Sequence, residues 1–90
     1  MHQSVCVFTN PQGGYERMAV VEEGRSVFAA HCGDPVLDGR LISVVVRALR
    51  GQGHVVTFAP DFGEQIARFG CRLDGEQVVR EEAWAAGMTA

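Results

Sequence analysis

The chain has 90 residues, 47% apolar and 21% charged, with a net charge of −3; that predicts one small domain removing roughly 60–65% of its unfolded-state surface on folding. All eight basic side chains are arginine, which excludes chemistry that needs a lysine amine, such as Schiff bases, a pyridoxal-phosphate anchor or a P-loop lysine. The acidic balance argues against a nucleic-acid partner, because phosphate-backbone binding depends on clustered cations.

Residues 4–9 (Ser-Val-Cys-Val-Phe-Thr) read as a strand apolar on both faces, the pattern of a central strand. The turn cluster Asn10-Pro11-Gln12-Gly13-Gly14 ends it. Segments 16–22 and 26–32 are predicted to pair as a hairpin around Glu22-Glu23-Gly24-Arg25, with Gly24 supplying a positive φ. Asp34 is placed to N-cap a helix and Pro35 suits its first position, so a helix is predicted over 35–50, ended by Gly51 or Gly53. Leu37, Leu41, Val44, Val45 and Ala48 fall at helical spacing, widened by Ile42 and Leu49. They are predicted to be the core face, with Leu41 and Val45 at its centre.

His54–Ala59 reads as a buried strand, and the helix before it predicts a right-handed crossover with parallel pairing. Pro60 stops that strand. Asp61 and Glu64 form a capping-box-like start to a short helix over 61–69, with Phe62, Ile66 and Phe69 inward and Gly70 closing it. Residues 71–86 admit two readings. Leu73-Asp74-Gly75-Glu76 is a possible hairpin turn into a strand over 77–80. Alternatively, Asp74 and Gln77 cap a helix over 75–86, with Leu73 and Val78 as its staple. The helix-prone run Arg80–Ala86 favours the helix. The order is therefore βββαβα with a C-terminal helix or hairpin. It predicts a single α+β domain over 1–90, a small open mixed sheet of about four strands with helices mainly on one face. The two edges of such a sheet must be covered, charged or paired across a homodimer.

No apolar run reaches membrane-spanning length, and Val5–Phe8 behind Met1-His2-Gln3-Ser4 is too short for a secretory signal. The expectation is a cytoplasmic, reduced protein. Cys6, Cys32 and Cys71 are an odd set without CxxC spacing, each among apolar neighbours. They are predicted to be small buried hydrophobes, neither disulfides nor, with His31 or His54, a zinc site. Frequent Arg, Ala, Gly and Val without Lys is a composition associated with GC-rich bacterial or phage coding DNA.

No catalytic residue, metal or cofactor is predicted. His31-Cys32 invites a nucleophile-and-base reading, but neighbours on a strand point to opposite faces. The loop Asn10–Tyr15 offers backbone N–H groups to an anion, yet precedes a strand where a phosphate loop precedes a helix. What remains is surface. Arg40, Arg47 and Arg50, with Ser43, share the polar face of the long helix and suit an acidic protein surface or, against the acidic balance of the whole chain, nucleic acid. Tyr15 and Trp84 are the aromatic candidates for contact, and Glu81 and Glu82 make Trp84 part of an acidic patch. The predicted function is a small non-enzymatic protein-binding domain: an adaptor, a regulatory subunit or a phage-type inhibitor such as an anti-CRISPR protein. The alternative is a small-molecule sensor or very small enzyme, with a pocket between sheet and helix rimmed by His31, His54 or a cysteine.

Overall fold

The computed structural model describes residues 2–81. The elements run β1 (His2–Thr9), β2 (Tyr15–Glu22), β3 (Arg25–Ala30), α1 (Pro35–Gly51), β4 (Val55–Phe58), α2 (Phe62–Ala67), β5 (Cys71–Asp74) and β6 (Gln77–Arg80). A four-stranded sheet has the order β3-β2-β1-β4, and β5-β6 form a separate two-stranded ribbon. The α+β class and small open mixed sheet expected from the sequence are present. β1 is central, as its apolar pattern requires: Val5 sits opposite Val20 in the antiparallel partner β2 and opposite Phe58 in the parallel partner β4.

Local chemistry sets the turns. Asn10 Oδ1 accepts from the N–H of Gln12 at 3.1 Å and of Gly14 at 2.8 Å, which closes the first turn. Between β2 and β3, Glu23 and Gly24 both have positive φ (52° and 78°), the requirement of a two-residue type I′ hairpin. Asp34 caps α1 as expected, in extended backbone with its side chain accepting from Val36 N–H. Asp61 does not cap α2 with its side chain; its carboxylate instead accepts from Gln65 Nε2 at 3.3 Å.

Both helices and the ribbon pack on one face of the sheet. Val5, Met18, Val20, Ala30 and Val56 meet Ile42 and Val46 of α1, Phe62 and Ile66 of α2, and Cys71 and Val78 of the ribbon. On the opposite face the Arg17 guanidinium lies 4.2 Å from the centre of the Phe8 ring, a cation–π contact that shields an otherwise bare aromatic.

Two further expectations are overturned. Residues 71–80 are the ribbon, and the predicted helix does not begin at 75; its stretch 82–86 lies outside the described residues. Asp74 pairs with Gln77 around Gly75, whose φ is +64°, and a glycine at the first central position fits a type II′ turn. Tertiary pairing with α1 overrides the helix propensity downstream. The second correction concerns α1, whose inward face is Pro35, Asp38, Gly39, Ile42, Ser43 and Val46. Leu37, Leu41 and Val44 lie on the outside, 45%, 45% and 64% exposed, and Ala48 is exposed beside them. Val45 is half-buried against the core rather than at its centre.

The ribbon explains this choice of face. A Cβ on Gly39 would lie 2.8 Å from Cβ and Cγ2 of Val78, so α1 and β6 approach to a distance that only glycine permits. Ser43 Oγ accepts from Gln77 Nε2 at 2.9 Å. Arg80 Nη2 reaches Asp34 Oδ1 at 2.8 Å, and Arg50 pairs with Glu76 while donating to the Val56 carbonyl at 2.6 Å. Small and polar residues face inward because each has a specific partner there.

Candidate functional site: the outer face of the long helix

α1 divides the arginine stripe predicted from the sequence. Arg40 and Arg47 are exposed and have no carboxylate partner among the described residues. Arg50 is occupied structurally, clamping the ribbon and the edge of β4 to the helix end. Ser43 is buried beneath the ribbon and is not part of a polar surface.

The other predicted contact residues are placed differently. Tyr15 is half-buried: its ring stacks edge-on against Phe69 at 5.5 Å between centroids, and its hydroxyl donates to Asp38 Oδ2. It is a packing residue of the α1 N-terminus, not a free contact. Trp84 and Glu82 lie outside the described residues. Glu81 pairs with Arg72 at 3.6 Å.

Asp38 is fully buried and organises the N-terminal end of α1. Its second oxygen accepts from the Cys32 N–H at 2.8 Å. β3 ends at Ala30, so His31 and Cys32 lie in an exposed loop, and the opposite-faces objection to a paired site does not apply. The acidic surroundings of the thiol weigh against such a site instead. A hydrogen bond with the Asp38 carboxylate, then burial and the charges of Asp38 and Asp34, push the Cys32 thiol up from its ordinary value. That suppresses the thiolate a nucleophile needs. Of the three thiols expected in the core, Cys71 is buried, Cys6 is intermediate and Cys32 is exposed. Burial raises both Cys6 and Cys71, for Cys71 against the lowering pull of Arg80.

The candidate pocket residues are not brought together. β3 and β4 run parallel, both aligned with β1, so His31 after β3 and His54 before β4 sit at opposite ends of the sheet. His54 Nδ1 lies 3.2 Å from the Gln3 amide nitrogen, which also donates to Glu22 at 3.1 Å. Among the described residues, no cavity opens between sheet and helix, and no three His, Cys, Asp or Glu side chains are grouped to hold a metal ion. No helix there is long and apolar enough to cross a membrane. The Asn10 turn directs two of its backbone N–H groups to its own side chain, which removes them from anion binding.

The apolar component of the site was misplaced by sequence reasoning. Leu37, Leu41, Val44 and Ala48 recur at spacings of four, three and four residues, a regular seam assigned to the core together with Ile42 and Leu49, which in the fold belong to a second stripe with Val46. Gly39 and Ser43 on the second stripe were the available signal, since small residues mark the side where a neighbour comes close. No family model, curated protein or solved structure matches this chain significantly.

Proposed function

We propose that this chain is a non-enzymatic protein-binding domain acting through the outer face of α1, as an adaptor, a regulatory subunit or a phage-type inhibitor of the anti-CRISPR kind. One observation carries the reading. Arg40 and Arg47 flank an exposed apolar stripe and hold no partner among the described residues, whereas neighbouring Arg50 is used up in the fold. Isolated exposed ion pairs contribute only about 0–1 kcal/mol, so folding has little use for these two guanidinium groups. Interfaces do, because arginine pairs with carboxylates in two-point fashion beside apolar contact area.

Arg40→Glu combined with Arg47→Glu is expected to leave the melting temperature within about 4 °C of wild type, as surface changes typically do. The same variant is expected to lose the proteins that wild type captures from its native host, measured by quantitative mass spectrometry. Arg68→Glu, an exposed arginine off this face, serves as the charge control and should retain them. A folded double variant that captures the same proteins as wild type refutes the reading.

A further inference from the structure

The outer stripe of α1 has the form of a coiled-coil seam. In a heptad, the two seam positions alternate at spacings of three and four, and the positions flanking the seam carry the charges that choose the partner. Leu37 and Val44 occupy one seam position, and Leu41 and Ala48 the other. Arg40 and Arg47 then both fall at the flanking position just before Leu41 and Ala48. The opposite flanking positions are Asp38, fully buried and bonded to Tyr15 and Cys32, and Val45, half-buried on the core. We infer that α1 takes an acidic amphipathic helix of a different protein along this seam; the inference rests on the protein-binding reading and adds the partner's chemistry.

A second copy of this chain fits poorly in either direction. In an antiparallel pair, equivalent flanking positions face each other, so the arginines of both helices would gather on one side of the seam. In a parallel pair, each arginine would face Asp38 or Val45 of the other copy. Asp38 is buried in its own domain and Val45 carries no charge, so neither answers a guanidinium. Like charges at an interface reject a partner and opposite ones select it. The surface therefore calls for carboxylates two helical turns apart, beside apolar residues at spacings of three and four. The seam from Leu37 to Ala48 is roughly 16 Å long at 1.5 Å per residue. Two free peptides of that length would not hold together, because helix nucleation is costly. Here one strand is already formed and held by the domain, which lowers the ordering cost of binding.

The test uses the full chain and two designed peptides, each a stabilised helix with leucine at both seam positions. One carries Glu at both flanking positions and the other Lys. The Glu peptide is expected to bind at least about tenfold more tightly than the Lys peptide, which is the factor given by ~1.4 kcal/mol of charge pairing. Its amide chemical-shift changes should concentrate on residues 37–48. With Arg40→Glu and Arg47→Glu the preference should reverse. Val44→Glu, at the most exposed seam position, should abolish binding of both peptides with the fold intact; Leu41→Glu provides a second variant if the first unfolds. Equal binding of the two peptides, binding of neither, or a wild-type dimer by sedimentation that Val44→Glu dissociates would overturn the inference. So would binding to phosphatidylserine vesicles with no response to the Glu peptide. Host proteins lost on arginine reversal but indifferent to Val44→Glu would leave the protein-binding reading standing and remove the seam. Host capture unaffected by arginine reversal would remove the reading itself.

Discussion

Ile42→Ala is expected to cost about 2–5 kcal/mol of folding stability, and Leu41→Ala, one residue away, less than about 1 kcal/mol. Ile42 is 1% exposed and packs within the cluster formed by the sheet, both helices and the ribbon. Truncating it removes the transfer free energy of three carbons and leaves a void that rigid strands cannot collapse. Leu41 is 45% exposed, about 100° round the same turn, so its truncation mostly changes surface already in water. Because a chain of this size has a total stability of only about 5–9 kcal/mol, the first variant should be close to unfolding in mild urea while the second tracks wild type. Midpoints from urea titration decide between the faces. The reverse order would mean that α1 is rotated from the position described.

Asp38→Ala is expected to be as damaging, at about 3–5 kcal/mol, with a spectroscopic signature of its own. The carboxylate is wholly enclosed and accepts from the Tyr15 hydroxyl and the Cys32 N–H. Its removal leaves the half-buried Tyr15 hydroxyl without its acceptor, at about 1–3 kcal/mol, unties the exposed Cys32 loop from the helix, and opens a gap under the first turn of α1. Asp38→Asn keeps the shape and one acceptor and should cost less. Burial pushes the Tyr15 phenol up from its ordinary value, and the hydrogen bond to Asp38, with the charges of Asp38 and Asp34, pushes it further. The native state therefore holds the phenolic proton more tightly than the unfolded chain does. The associated stabilisation is fully present below the unfolded value of about 10 and is lost as pH rises above it. Tyr15 is the only tyrosine, so phenolate absorbance reports this group alone. No phenolate should form near pH 10 while circular dichroism still shows the fold, and Asp38→Asn should bring the titration downward. An ordinary midpoint in the folded wild type would show that the Tyr15–Asp38 bond does not persist in solution.

What the sequence made legible was mostly local. Capping at Asp34, the glycine turn at Gly24 and the doubly apolar pattern of β1 each depend on residues close in the chain, and they place α1 and the meander correctly. Two things depended on distant partners. Leu37-Leu41-Val44-Ala48 is the more regular stripe by spacing, but the inward face of α1 is selected by Tyr15 reaching Asp38 and by Val78 fitting over Gly39. The ribbon was misjudged because Asp74 and Gln77 suit a hairpin and a helix cap alike, and the helix-prone run after Val79 tipped the reading to the helix. Its outcome follows from Ser43 and Arg50 on α1, which hold Gln77 and Glu76. The candidate site inherited the first error: Arg40 and Arg47 were named for contact, and the apolar stripe beside them was assigned to the core.

The parallel pairing of β1 with β4 has a consequence for how the chain assembles. Gln3 lies opposite Val56, whereas the β1–β2 and β2–β3 contacts join near neighbours along the chain. Closing a loop that spans most of the described chain carries an entropic cost before any contact rewards it. The meander can form as soon as Ala30 is available, but the edge of β1 that receives β4 stays open until α1 has crossed the sheet. On a ribosome, that edge emerges well before the strand that pairs with it. During that interval a strand carrying Val5, Val7 and Phe8 presents unpaired amides, the kind of open edge through which incompletely folded chains associate.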